Sequence, residues 1–247
     1  MPEHLVYMPN GNYEFEVPIG EINFSNLTRK RFEAYDSENF KGTQVVTARV
    51  ATNDDLKAYR NLAINPLDGI CNGEKNKSDA ALNSLPENSV AVENGEVKGF
   101  PHAYANRVTR NESWYYSRNA IDGISAENAH GPYPHHAWGG GQYEDIALTV
   151  YFGREVMVDK VVLTLRSDYT VKKDKEHDTY WKEAVLEFSD GSEVTVHPVK
   201  GGQAQTFEFE SRKTDFVRLK KLVPYEEPKS TMYAALNEIE VWGFDAQ

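Results

Sequence analysis

From residue 146 onward, apolar side chains recur at every second position. The runs are Leu148, Val150 and Phe152; Val161, Leu163 and Leu165; Ala184, Leu186 and Phe188; Val194 and Val196; Phe207 and Phe209; Val217 and Leu219; Ile239 and Val241. A period of two puts one side of a segment against a core and the other in water, as a half-buried strand requires. Seven short runs separated by turn residues predict an all-β chain, an antiparallel β-sandwich. Asp190-Gly191, between two runs, predicts a two-residue hairpin turn whose positions must both accept positive φ.

Strand order alone predicts an asymmetry. If successive strands alternate in direction, the turns near Gly153, Asp190-Gly191 and Ser211–Lys213 share one end, and all are short. The connections 130–145, 167–180, 200–204 and 223–235 share the other end, and all but 200–204 are long. A scaffold that grows loops at one end usually carries its function there.

The first part of the chain is less regular. Tyr13–Val17 and Thr43–Val50 read as strands, and Asn53 reads as the cap of a short helix through Tyr59, with Asp54 and Asp55 in its first turn. Residues 65–100 read as a long loop. Asn111 reads as the cap of a helix over Glu112–Ala120, stopped by Asp122-Gly123. This divides the chain into a β-rich extension, 1–60, packed on a main domain, 61–247.

Composition narrows the function classes. A net charge of −11 argues against nucleic acid and anionic membrane, both of which need a positive face. The single cysteine, Cys71, excludes an intrachain disulfide and a four-cysteine zinc module. No apolar run approaches the ~20 residues that span a bilayer. The first residues carry no basic-then-apolar leader pattern, which leads one to expect a cytoplasmic protein, or an extracellular one if the chain is part of a larger secreted protein.

The candidate chemistry lies at the long-loop end. Residues 130–145 combine His135, His136, Trp138, three consecutive glycines and Tyr143. Arg166 and Asp168 end one run, Tyr169 follows, and Trp181 and Lys182 begin the next. Aromatic faces can pack on the C–H face of a pyranose, while planar polar groups take its hydroxyls. With His102, these residues form the expected site for a neutral or anionic sugar, and the glycines would let a ligand approach the backbone. Removing Trp138 or Trp181 is expected to abolish binding and leave the fold intact. The first expectation is therefore binding of an oligo- or polysaccharide without catalysis. The alternatives are a polysaccharide lyase or glycosidase using His135, His136, Tyr143, Arg166 and Asp168 for acid, base and charge stabilisation, and a protein-interaction module. No organic cofactor is expected. His135 and His136 are adjacent and point opposite ways in an extended segment, so one transition metal is not easily shared between them. Calcium between Asp122 and Glu238 fits better, as a hard cation held by carboxylates and loop carbonyls.

Several segments together resemble the coagulation-factor type C (discoidin) domains. They are Arg60-Asn61-Leu62-Ala63; Asn119-Ala120-Ile121-Asp122-Gly123; Trp138 with Leu148–Gly153 and Val158–Leu163; Asp215–Leu219; and Ala235–Gly243. The resemblance covers about residues 60–244. It implies a jelly-roll sandwich of the galactose-binding type, whose bacterial members are mostly carbohydrate-binding modules, often with a structural calcium. It also implies that Asp122 and Glu238 fall at calcium-ligand positions. The segment 124–137 departs from the family pattern in its length and in its Pro and three His.

Overall fold

A computed structural model describes residues 50–66, 68, 97, 99–109, 115–125, 137–141, 143–166, 179–225 and 233–246. Among these, seven strands pair antiparallel: β1 (Arg60–Asn61), β2 (His102–Ala105), β3 (Leu148–Leu165), β4 (Trp181–Phe188), β5 (Glu193–Val196), β6 (Gln205–Pro224) and β7 (Leu236–Asp245). No described helix is long and apolar enough to cross a membrane. The Tyr13–Val17 reading and most of the Thr43–Val50 reading lie outside the described residues.

The alternating runs fall inside strands, but four of them merge into two. Leu148–Phe152 and Val161–Leu165 are the two halves of β3, and Phe207–Phe209 and Val217–Leu219 are the two halves of β6. Gly153 and Ser211–Lys213 therefore lie within continuous strands rather than in turns between strands. The pairing shows why. Leu148–Tyr151 pairs with Phe216–Leu219, the register then slips, and Val156–Leu163 pairs with Gln205–Thr214. Strands that bulge and bend in this way carry a sheet around a corner. The first half of β3 lies between β2 and β6, and the second half between β7 and β6. One layer is thus β1, β7, late β3 and early β6. The other is β2, early β3, late β6, β4 and β5.

The inward faces of both layers meet in one core. Val161, Leu163, Ile239 and Val241 come from one layer, and Leu148, Val150, Leu186, Phe188, Val217 and Leu219 from the other. Full burial of such a side chain stabilises by about 1.5–3 kcal/mol.

The local caps differ from the sequence reading in instructive ways. Thr52, not Asn53, caps helix α1 (Asn53–Lys57): its hydroxyl accepts from Asp55 N–H while Asp55 accepts from Thr52 N–H, a reciprocal capping box. The described part of the Glu112–Ala120 helix is a 3-10 turn, Ser117–Ala120. At the β4–β5 hairpin the loop is three residues, Ser189–Gly191, with Phe188 N–H donating to Ser192 O; Gly191 has positive φ and Asp190 does not. The glycine takes the left-handed position of a three-residue loop, so the side chain before it is spared that strain.

The motif residues have identifiable jobs. The Asn61 amide oxygen accepts from Ala63 and Val241 N–H, and Leu62 N–H donates to Val241 O, tying β1 to the closing strand. Arg60 reaches both carboxylate oxygens of Asp245 at 3.2 Å, and Tyr59 donates to Asp159 at 2.6 Å. Residues 1–49 of the expected extension lie outside the described residues.

Candidate functional site

Because β3 and β6 fold over at their midpoints, all four of their termini lie at one end, opposite the corner. The roots of the long connections are tied together there. Trp138 and Leu236 exchange backbone hydrogen bonds at 2.7 and 2.9 Å, and Arg166 N–H donates to Ala235 O at 3.0 Å. Tyr225 N–H donates to Tyr180 O at 2.7 Å, and the Thr179 hydroxyl donates to Tyr225 O at 2.9 Å. The predicted gathering of long connections at one end is what the pairing produces.

Two features of this end present surface to a ligand. Tyr143 is 53% exposed, and the Arg107 guanidinium lies over its ring at 4.6 Å. Arg107 is held by Asp145 through two hydrogen bonds, at 2.9 and 3.3 Å. Those bonds hold the Asp145 carboxyl below its ordinary range, with desolvation working in the opposite direction. From beneath, Trp138 Nε1–H donates to Arg107 O at 3.0 Å. One face of the Tyr143 ring therefore rests on a fixed cation. The second feature is a stack of Tyr180 on Tyr225, with centroids 5.1 Å apart and planes 20° apart. Tyr225 is 36% exposed.

The expected residues divide into groups. Tyr143 stands at the open surface. Trp138 and Trp181 do not: both are buried in the core, with ring centroids 5.5 Å apart, and they form the floor of the loop end rather than a stacking platform. The expectation that either could be removed without harm to the fold is corrected accordingly. The adjacent glycines also serve packing. A Cβ on Gly139 would meet Thr109 Oγ1 at 2.9 Å, and one on Gly140 would meet Ile146 at 3.0 Å, so protein rather than ligand fills those spaces. Arg166 is buried, and Lys182 is exposed on the strand face opposite Trp181. His135, His136, Asp168 and Tyr169 lie outside the described residues.

His102 is not at this end. Its register partner is Tyr151, beside the Gly153 corner. It is fully buried, with Nδ1 2.9 Å from Asp68 Oδ1, while Asp68 Oδ2 accepts from Ala103 N–H. This pair fastens Asp68 to β2. Arg107, Asp145 and Asp68 were missed by sequence reading, because nothing in their spacing marks their partners.

Asp122 and Glu238 are brought together. Glu238 is 2% exposed, and its Oε2 accepts from Gly123 N–H at 3.2 Å. The Asp122 side chain accepts from Ile124 N–H at 2.9 Å. Burial first, then the Asp122 charge, pushes the Glu238 carboxyl well above its ordinary range; the Gly123 hydrogen bond offsets part of this. Glu238 Oε1 and the neighbouring Asn237 Oδ1 are buried without a hydrogen-bond partner among the described residues. The pairing skips Asn237, with Thr164 opposite Glu238 and Leu165 opposite Leu236. The extra residue re-aims its side chain, which reaches Ser125 O at 3.4 Å. Buried oxygens without donors, beside a second carboxylate, suit a hard cation. Among the described residues, no three His, Cys, Asp or Glu side chains converge, so such an ion would also need amide and carbonyl oxygens.

No family model and no curated protein matches this chain. Solved structures do. The chain is similar to chitosan-binding module 1 of a chitosanase/glucanase from Paenibacillus sp. IK-5, at 18% identity and TM-score 0.43, over 74% of this chain and 99% of that one. It is similar to the family 32 carbohydrate-binding module of NanJ from C. perfringens, solved with galactose, at 14% identity and TM-score 0.40, over 57% and 91%. A fucose-binding module from Streptococcus pneumoniae gives 14% identity and TM-score 0.39, over 59% and 96%. Likeness of this degree assigns no ligand here.

Proposed function

We propose that this chain binds a glycan, without catalysis, through the loop end of the sandwich. The carrying observation is the Tyr143 ring, seated on the Arg107–Asp145 ion pair and half open to solvent. A ring fixed from behind loses little freedom when a sugar packs on its outer face, and the adjacent ion pair offers donors and acceptors to hydroxyls. The modules to which the chain is similar are a chitosan-binding module, one solved with galactose and a fucose-binding module, and a sugar ligand accords with them.

Tyr143→Ala should reduce glycan binding at least tenfold while the thermal midpoint stays within a degree or two, since an exposed ring contributes little to stability. Glycan-array screening of the parent followed by titration of the variant checks this. Unchanged affinity for the parent's best glycan would overturn the site.

The same reading includes a structural calcium at Asp122 and Glu238, with the Asn237 amide oxygen beside them. When bound, the ion would neutralise the two carboxylates. The residues themselves join the segment after Ala120 to β7 and so steady the base of the loop end.

A further inference from the structure

Resting on the glycan-binding reading, we propose that the loop end holds two aromatic subsites and therefore recognises two or more linked sugar rings rather than a single terminal one. The first subsite is Tyr143 on Arg107, which sits where the chain leaves β2 and enters β3. The second is the Tyr180–Tyr225 stack, which sits where β6 ends and β4 begins. In this layer the strand order runs β2, β3, β6, β4. The two platforms are thus displaced by two strand spacings of about 4.8 Å, roughly 10 Å. One pyranose ring cannot lie on both, whereas neighbouring rings of a chain can.

Both platforms are held rigid. Tyr143 lies on a cation fixed by Asp145. Tyr225 lies on Tyr180, and the two backbones are joined by the Tyr225 N–H to Tyr180 O bond. Trp181 and Trp138 link them from below through their 5.5 Å ring contact. Rigid rings presented at the surface are the low-entropy contacts that binding sites favour.

The test is a chain-length series. The parent is titrated by calorimetry with monomer, dimer, trimer and tetramer of chito-, cello-, xylo-, manno- and galacturono-oligosaccharides. For the series it binds, affinity should rise at least tenfold from monomer to trimer. Tyr225→Ala should return trimer affinity to near the monomer value and leave monomer affinity unchanged. Tyr143→Ala should weaken both. Tyr225→Phe keeps the ring and should keep trimer affinity, which separates loss of the platform from loss of the fold. Equal affinity for monomer and trimer, or a trimer affinity untouched by Tyr225→Ala, overturns the two-subsite proposal and leaves the glycan-binding reading standing. No binding of any series by the parent overturns both.

Discussion

At one end of the sandwich the chain turns by bending. β3 passes Gly153 and β6 passes Asp215 without leaving the sheet, and the β4–β5 hairpin needs only three loop residues. Ion pairs close over this end, where Arg60 and Arg154 both reach Asp245. At the other end the long connections begin, and their roots are held by a few backbone hydrogen bonds, two buried tryptophans and a buried carboxylate, with the arginine–tyrosine and tyrosine–tyrosine stacks lying outermost. The corner end is specified by backbone conformation, where one unsuitable Cβ does the damage. The loop end is specified by packing and hydrogen bonding. Its exposed rings can therefore change while its buried ones cannot, which is how a sandwich keeps one end free to acquire ligands.

The sharpest break of this comparison is Trp138→Ala. Trp138 has no exposed surface, bridges to Leu236, carries Arg107 on its indole N–H and meets the Trp181 ring. Truncation should cost about 3–5 kcal/mol of stability, the range for deleting a large buried ring. Urea unfolding measures it. A loss below about 1 kcal/mol would mean that the loop end does not rest on its tryptophan floor.

Smaller losses are expected at the corner end, and two glycines there differ usefully. Gly153 has φ +68°, and a Cβ would lie 2.5 Å from Phe100 Cδ2; Gly191 has φ +79° with nothing within 4 Å. Gly191→Ala should cost only the left-handed conformation, about 1–2 kcal/mol. Gly153→Ala adds the collision with Phe100 and should cost more. Neither should change glycan affinity, because both lie opposite the loop end. Equal losses in the two variants would show that Phe100 yields freely and that the corner is not tightly packed.

Much of this architecture is legible in the sequence, because period two is a direct projection of a sheet with one buried face. Every alternating run from Leu148 to Val241 lies in a strand, and the gathering of long connections at one end follows from their order. The bends in β3 and β6 are not legible, since a glycine at a corner and a glycine in a hairpin look alike without the pairing register. Trp138 illustrates a second limit: an indole on a platform and an indole beneath one have the same neighbours in sequence. Burial separated them. His102 and Asp68 are 34 residues apart, and no local pattern announces that they meet.

The smallest expected effect bears on the buried carboxylate that ties the loop end to β7. A carboxyl whose folded pKa lies above its unfolded value, about 4.3, takes up a proton on folding once the pH passes that value. Glu238 should therefore lower stability as pH rises from the ordinary carboxylate range toward its own raised pKa, the reverse of a salt-bridged acid. Glu238→Gln keeps the shape and removes the charge, so in metal-free buffer at neutral pH it should raise the melting temperature by a few degrees and flatten this part of the pH profile. A bound cation favours the ionised form, so calcium should raise the melting temperature of the parent at pH 7 by mass action, do less near pH 4.5, and do nothing for Glu238→Gln. Melting curves in chelator and in millimolar calcium at both pH values separate the cases. A parent that melts identically with and without calcium would remove the ion from Asp122 and Glu238. The loop end would then be held by the protonated carboxyl, with Gly123 N–H as its donor, and by the packing around it.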